Sequence, residues 1–182
     1  MMSKTGISKM RKRFYKGFRH MNLNSSLLAL MLFSATAISS ETFSPPGCEY
    51  SVEFAAAPEI KSKHVPSLGE YPSASHYSGD SFVRAECHRA ESIALRNSVR
   101  SKLEEYVNAN GLQYATYEFQ DTQLGYLAKA RGYKKAAGLQ GTFHILIYIG
   151  QSSMLTLYTG GASSSYPTSQ VFDFLASVKN AS

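Results

Sequence analysis

The sequence predicts an α+β domain in which an antiparallel β-sheet lies between two helices. Residues 142–159 read as two apolar, β-prone runs joined by a Gly-Gln-Ser-Ser turn, and both faces of the first run are largely apolar. A strand covered on both sides shows this pattern, whereas a one-sided antiparallel sheet exposes a polar face. Elsewhere the apolar period changes from two residues to about 3.6, which is typical of amphipathic helices. We therefore expect a central hairpin that is covered by a helix on each side.

The remaining strands are predicted from alternating apolar and polar residues. They cover residues 48–54, 70–77, 81–87, 114–120 and 124–133. In the first of these, Tyr50, Val52 and Phe54 share one face, as in a half-buried strand. Pro72 restricts the second strand to a sheet edge, because proline donates no ladder hydrogen bond. Loops are predicted at residues 55–69, 134–141 and 160–169, and the first of them is alternatively an irregular edge.

Two helices are predicted from apolar residues at helical spacing. The first covers residues 91–109 and ends at Asn110-Gly111, because Gly adopts the left-handed conformation that closes helices. The second begins near Pro167, a residue type suited to a first helical turn. Their apolar stripes are Leu95, Val99, Leu103, Tyr106 and Val107 in the first, and Val171, Phe174, Leu175 and Val178 in the second. The charged side of the first helix is interpreted as a solvated face.

Residues 1–40 are predicted to be a cleavable signal peptide. They hold seven basic residues and no acidic one, and the apolar run at residues 27–33 is followed by small residues up to Ser40. This order is typical of a secretory signal, with cleavage expected between Ala37 and Glu41. An uncleaved anchor is the alternative, but a membrane span needs about 20 mostly apolar residues. Residues 10–16 differ by one arginine from a twin-arginine signal, so both export routes stay open.

The exported part is predicted to be one nearly neutral domain, residues 41–182. About 142 residues remain after cleavage, which suits a single domain with its own core. The whole chain has a formal net charge of +6, but this part contains 12 Lys and Arg against 13 Asp and Glu, a net charge of −1. Nucleic-acid binding depends on clustered basic side chains. We therefore expect a periplasmic or secreted protein that binds no nucleic acid and has no stable membrane span.

Cys48 and Cys87 are the two cysteines of the chain, and both lie in the exported part. An even number of cysteines in an oxidising compartment predicts one disulfide. The bond would close a loop of about 40 residues and stabilise the fold by about 4 kcal/mol. One alternative is a lipid on Cys48, although this residue lies well past the apolar run. The other is a metal site of Cys87, His88 and a distant His64 or His76, which lacks any repeated ligand spacing.

The order of elements resembles that of the PsbP-like family of α/β/α sandwich proteins. The resemblance spans residues 48–180 and is carried by short motifs: an early Tyr-x-Val-x-Phe strand, Gly132-Tyr133, Tyr148-Ile-Gly150, Leu155-x-Leu-Tyr158 and a closing helix with residues 174–179. It implies an antiparallel sheet between helices, in a superfamily of non-enzymatic assembly and binding factors. The chain has no tryptophan, so the Pro and Trp cluster that follows the first strand in this family is missing. No functional residue of the family is carried over.

The histidines of the exported part lie in no metal or hydrolase motif. They are His64, His76, His88 and His144. His144 interrupts the apolar run of the central hairpin and is the most notable of them. Without a paired nucleophile or carboxylate, a histidine in a strand is expected to be packed or hydrogen-bonded rather than catalytic. We therefore predict no catalytic, cofactor-binding or metal-binding residue.

These observations favour an exported, non-enzymatic binding or assembly-accessory protein of the bacterial cell envelope. Its partner would be another envelope protein or a small ligand, and no cofactor is expected. The alternative is a periplasmic enzyme or metal-dependent protein that uses His144 or His88. The two hypotheses differ in an observable way, because only the second predicts metal content or activity that a His→Ala substitution removes.

Overall fold

The computed structural model describes residues 40–65, 69–89, 92–136 and 139–181. The leader predicted at residues 1–40 lies outside this part of the chain except for Ser40, so cleavage and export stay predictions. The described residues belong to one compact unit, residues 37–182. Neither of its helices is long and apolar enough to cross a membrane.

Ten strands and two helices make up the described part of the chain. In order they are β1 (Glu41–Phe43), β2 (Tyr50–Phe54), β3 (Glu59–Val65), β4 (Gly69–Ser78), β5 (Ser81–Arg89), α1 (Ser92–Ala109), β6 (Gln113–Thr122), β7 (Gly125–Ala136), β8 (Leu139–Ile149), β9 (Ser153–Ala162), α2 (Ser169–Ala176) and β10 (Lys179–Asn180). A large sheet has the order β3-β4-β5-β9-β8-β7-β6, and a small one has the order β1-β2-β10. All neighbouring strands are antiparallel. The fold is therefore α+β and consists mostly of antiparallel sheet.

The hairpin of β8 and β9 lies at the centre of the large sheet, as the apolar pattern predicts. β9 is the fourth of seven strands and pairs with β5 and β8. Every residue from Ser153 to Gly160 is buried, because both faces of this strand are covered. The predicted strands at residues 48–54, 81–87, 114–120 and 124–133 are confirmed as β2, β5, β6 and β7, with shifted ends.

Glu49 attaches the start of β2 to the turn of this hairpin. Its carboxylate accepts hydrogen bonds from the backbone N–H groups of Gln151, Ser152 and Ser153, at 3.1, 2.8 and 2.9 Å. Burial raises the pKa of this carboxyl, but the hydrogen bonds outweigh burial, and the net pKa is lowered. The Glu49 carboxylate therefore serves the structure of the turn.

Two apolar clusters lie on opposite faces of the large sheet. On the first face α1 packs through Val99, Leu103 and Val107 against β7 and β8. On the second face α2 and the small sheet pack together, and the buried side chains there include Val52, Phe54, Val171, Phe174, Leu155 and Leu157. The prediction of one helix on each side is therefore incomplete, because the small sheet shares the second face. Alternation in β2 indicates a buried face but not the sheet that the strand joins.

The prediction of a loop at residues 55–69 is wrong, because they include the strand β3. The alternative of an edge is confirmed, although the strand is regular, since β3 is one edge of the large sheet. Its polar sequence, Glu-Ile-Lys-Ser-Lys-His-Val, suits an edge, where charged side chains discourage further strand pairing. Consequently β4 is not the edge strand that Pro72 predicts. Pro72 pairs with Ser62 on β3, while the ladder to β5 begins only at Ser73. Pro72 thus lies in the part of β4 that pairs with β3 alone.

The other predicted loops are also shorter than expected. β7 continues to Ala136 and β8 begins at Leu139, so most of residues 134–141 belong to strands. β9 extends to Ala162. The first helix is confirmed as α1, and the second begins at Ser169, with the Thr168 side chain accepting a hydrogen bond from Val171 N–H. Alternation is weak in these strand ends because lysine and glycine replace the apolar residues.

Candidate functional site

The predicted disulfide is present. Cys48 and Cys87 are bonded, with their Cα atoms 6.1 Å apart and 39 positions apart in the sequence. The bond connects the residues before β2 to β5, and therefore the small sheet to the large one. Since both sulfurs are used, Cys87 supplies no thiolate to a metal and Cys48 carries no lipid. Within the described residues, no group of three or more His, Cys, Asp or Glu could hold a metal ion.

His88 follows Cys87 on β5 and is buried on the α1 face. Its side chain is 3% exposed, and its ring packs edge-on against Tyr71 with the centroids 4.3 Å apart. Neither ring nitrogen has a hydrogen-bond partner in the described part of the chain. Burial lowers the pKa of His88 to about 4, and the nearby Lys102 acts in the same direction, while Glu86 opposes it. The imidazole is therefore neutral at neutral pH.

A buried network around Glu86 adjoins His88. Glu86 is 3% exposed, and its Oε1 atom accepts a hydrogen bond from Lys63 Nζ. Arg84 Nε lies 3.1 Å from the same oxygen without a directed hydrogen bond, and its guanidinium lies 4.1 Å from the centre of the Tyr158 ring. Two cations thus lie beside one carboxylate, and an aromatic ring packs against one of the cations. A buried carboxylate is tolerated when it is paired with cations, so we interpret Glu86 as a structural residue.

The neutral, unpartnered state of His88 leads to a testable pH dependence. Its folded-state pKa of about 4 lies below the 6.5 of an ordinary histidine, so only the unfolded chain gains a proton between these values. We expect His88 to leave the free energy of unfolding unchanged above pH 6.5 and to lower it by up to about 3 kcal/mol as the pH falls to 4. Urea unfolding at pH 7 and pH 4.5 measures the loss in the free energy of unfolding. The titratable groups that face the His88 ring are Glu86, Lys63, Lys102 and Tyr71.

The matched variant for this test is His88→Leu, which removes the titrating group and retains an apolar side chain. Because neither ring nitrogen is hydrogen-bonded, the variant is expected to match the unmodified chain at pH 7 and to lose less stability at pH 4.5. Equal losses in the two proteins would show that His88 does not cause the pH dependence.

A groove of about 570 Å³ lies between α2 and strands β6, β7 and β8 on the second face of the large sheet. We call it the α2 groove. Its lining residues are Thr116, Glu118, Leu127, Lys129, Ala130, Arg131, His144, Leu146, Tyr148, Phe172, Leu175 and Ala176. The groove exists because α2 has only eight residues and contacts β5 and β2, so the three outer strands extend beyond it. The volume is in the usual range for small-molecule sites.

Strand register divides the floor of the α2 groove into a polar end and an apolar end. Thr116, Arg131 and His144 are cross-strand neighbours at one end. Leu127 and Tyr148 are neighbours four residues further along, and both are buried. Facing cross-strand pairs have Cβ atoms about 5 Å apart, so the members of each row contact one another.

The wall of the α2 groove carries an exposed aromatic ring. Phe172 is 60% exposed, although its neighbours Val171 and Phe174 are buried in the core. The ring therefore belongs neither to the core stripe of α2 nor to the polar surface expected for a short helix. The ring therefore adds exposed apolar surface to the wall of the groove.

Positive charge predominates at the polar end of the α2 groove. Arg131 is exposed, and within the described residues it has no carboxylate partner. Lys129 Nζ lies 3.6 Å from the exposed Glu118 carboxylate. His144 packs edge-on against Tyr166, with the ring centroids 5.3 Å apart. Burial lowers the pKa of His144, and Arg131 adds to the effect, so its imidazole is largely neutral at pH 7.

A larger cavity of about 740 Å³ lies beside the hairpin turn, but its charged side chains Glu49, Arg96 and Asp121 are already paired. Glu49 binds the turn, as described above. Arg96 forms an ion pair with Asp121, and the Tyr50 hydroxyl donates a hydrogen bond to the Leu124 carbonyl at 2.8 Å. These contacts hold loops and strand ends together, so this cavity is a weaker candidate than the α2 groove.

The residues of the α2 groove that were not predicted from the sequence include Lys129, Arg131 and Phe172. One signal was available in β7, where Leu127, Lys129 and Arg131 alternate with Ala128 and Ala130 and therefore share a face. Phe172 showed no comparable signal, because an aromatic residue in a helix is usually part of the core. Of the predicted histidines, the α2 groove contains His144 alone, while His88 lies on the opposite face of the sheet.

Comparison with known proteins supports the fold and assigns no activity. No family model matches the sequence, and no curated protein matches it. A crystal structure from Bacteroides thetaiotaomicron VPI-5482 is similar, with a TM-score of 0.50 and 10% sequence identity over 78% of this chain and 48% of that chain. This chain therefore spans about half the length of that protein. At so low an identity the likeness concerns the fold alone.

Proposed function

We propose that this chain is an exported, non-enzymatic binding protein of the bacterial cell envelope that holds its ligand in the α2 groove. The observation that carries the proposal is the exposed Phe172 ring beside a floor of apolar and basic side chains. Small-molecule sites typically combine an apolar lining with a few polar groups at defined positions. The leader pattern and the Cys48–Cys87 disulfide support an oxidising compartment outside the cytoplasm.

The finer fold that we propose is the PsbP-like α/β/α sandwich. The order of elements supports it, as does the position of α1 and α2 on opposite faces of the large sheet. The small sheet beside α2 is then an addition to the two-helix arrangement. A non-enzymatic role agrees with what this resemblance implies.

Contacts of the two notable histidines also support a binding role. A general base needs a hydrogen-bonded nucleophile on one side and an orienting partner on the other. His88 has neither, since both of its ring nitrogens lack a partner among the described residues. His144 packs against Tyr166, whose hydroxyl lies 2.6 Å from Thr159 Oγ1. Both rings are therefore positioned by packing.

Replacing Phe172 by alanine is expected to weaken binding in the α2 groove without unfolding the chain. Loss of one apolar ring contact corresponds to roughly tenfold in affinity. Amide chemical shifts in titrations with hexanoic acid, 3-phenylpropionic acid, hexanol and triglycine measure the response. At least one of these is expected to shift amides of β7, β8 and α2.

Tyr77→Ala is the matched control, because Tyr77 is also an exposed aromatic residue, at 70% exposure, but lies on β4. It is expected to leave the titrations unchanged. Shifts that arise elsewhere in the protein, or that persist equally in Phe172→Ala, would contradict the groove as the binding site.

The second candidate function is an enzyme or metal-dependent protein that uses His88 or His144. The observation in its favour is that the two nitrogens of His88 are unpartnered and the residue lines a cavity of about 340 Å³ beside the disulfide. Metal content of protein recovered from the periplasm tests it. An equal content in the intact chain, His88→Leu and His144→Ala removes the metal-dependent form of this candidate.

A further inference from the structure

Resting on the proposed function, we propose that the ligand of the α2 groove is a small amphiphilic anion. Arg131 and Lys129 bind its single carboxylate or phosphate, and its apolar body lies over Leu127 and Leu146 and beside Phe172. Two observations support this ligand: the order of side chains along β7, and the difference between Lys129, which has a weak ion pair, and Arg131, which has none within the described residues.

The order along β7 separates charge from apolar surface. Arg131, Lys129 and Leu127 alternate with buried alanines, so they share the groove face. Alternate residues of a strand are about 7 Å apart, and the three side chains therefore extend over about 13 Å from cation to apolar floor. A molecule that lies along this strand meets two positive groups at one end and Leu127 at the other.

Arg131 is the group best placed to bind the anion. It is exposed and has no carboxylate partner within the described residues, and its guanidinium carbon lies 5.8 Å from the centre of the Tyr133 ring. A guanidinium donates two parallel hydrogen bonds to a carboxylate or phosphate. The cross-strand neighbours Thr116 and His144 bring no negative charge to this end.

Lys129 is available because its present ion pair is weak. The Nζ atom lies 3.6 Å from Glu118, whose side chain is 73% exposed. Exposed pairs of this kind contribute little to stability, so a bound anion readily replaces Glu118 as the partner of Lys129. Among the described residues, Glu118 is also the one carboxylate that lines the groove, which leaves an excess of positive charge there.

The apolar end explains why a simple inorganic anion is not the ligand. Leu127, Leu146 and Tyr148 form a buried floor, and Phe172 is the exposed wall. An anion without an apolar part would leave the exposed Phe172 ring in water. The volume of about 570 Å³ suits one small molecule, so we assign a free amphiphile rather than a lipid within a bilayer.

Decanoate, decyl phosphate and decanol, each below its micelle concentration, test the inference by calorimetry and amide shift mapping on the oxidised chain. Both anions are expected to bind at least tenfold more tightly than decanol. Arg131→Gln is expected to reduce anion affinity about tenfold and to leave decanol unchanged. Arg100→Gln, at an exposed position of α1 on the opposite face, is the matched control and is expected to change neither.

The outcomes separate this inference from the proposed function. Equal binding of decanoate and decanol, unaffected by Arg131→Gln, would overturn the anionic ligand and leave the α2 groove as a binding site. Shifts of the groove amides with triglycine alone would also overturn the anionic amphiphile and leave the α2 groove as a binding site. If no compound shifts the groove amides, the inference and the proposed function are both wrong. Co-sedimentation with phosphatidylglycerol vesicles without binding of free decanoate would instead show a membrane headgroup as the ligand.

Discussion

Replacing Cys48 and Cys87 by serine is expected to lower the free energy of unfolding by about 4 kcal/mol. The disulfide joins positions 39 apart, and the loop that it closes restricts the unfolded chain. Loop-closure entropy for about 40 residues gives this magnitude. Cys87 is also buried within the apolar cluster of the second face. Urea unfolding of the chain from residue 41 onward, followed by circular dichroism, measures the difference.

Reduction of the unmodified chain provides the internal control for this prediction. Dithiothreitol is expected to lower the stability of the unmodified chain to that of the double variant and to leave the double variant unchanged. The amides of β2 are expected to exchange faster in both, because the bond connects the small sheet to β5. A difference below about 1 kcal/mol would contradict a structural role for the bond.

Replacing Phe54 by alanine is expected to cost about 4 kcal/mol of stability. Phe54 is fully buried, and its ring contacts Phe43 and Phe174, with centroids 6.5 and 5.0 Å away. Removing a buried phenylalanine costs about 3–5 kcal/mol, from lost transfer free energy and from the cavity that remains. Because Phe54 connects the small sheet to α2, we also expect the near-UV aromatic signal to weaken before secondary structure is lost.

Phe172→Ala is the matched control, since it makes the same substitution two residues before Phe174 at a 60% exposed site. It is expected to cost less than about 1 kcal/mol. If the two variants were equally stable, Phe54 would not lie in a packed core, and the position of the small sheet against α2 would be wrong.

Strong local patterns predicted the centre of the fold. Residues 142–159 are a buried hairpin, and Leu95, Val99, Leu103 and Val107 lie at helical spacing in α1. Weak patterns failed at the periphery. The segment of β3 is predicted as a loop or irregular edge because Pro58 and several polar residues suggest a break, yet Pro58 lies just before the strand, and an edge strand tolerates polar residues since one side faces solvent.

The candidate site could be predicted only in part. His144 was noticed because a polar residue interrupts an apolar run, and it does line the α2 groove. Its neighbours come from three strands and a helix that are distant in sequence. Arg131 lies beside His144 only through the pairing of β7 with β8. Phe172 lies beside these residues because α2 packs on the same face of the sheet. Since α2 is short, it leaves part of that face uncovered.

The sequence by itself determined the properties that depend on local order: the basic and apolar character of residues 1–40, the near-neutral charge of residues 41–182, the disulfide, the buried hairpin and the first helix. These follow from composition and from periods of two and about 3.6 residues. Only the tertiary structure decided that β2 belongs to a separate small sheet, which packs on the large one. It also decided that the α2 groove combines Arg131, His144 and Phe172. Such assembly depends on strand order and on which face each element covers, and a one-dimensional pattern specifies neither.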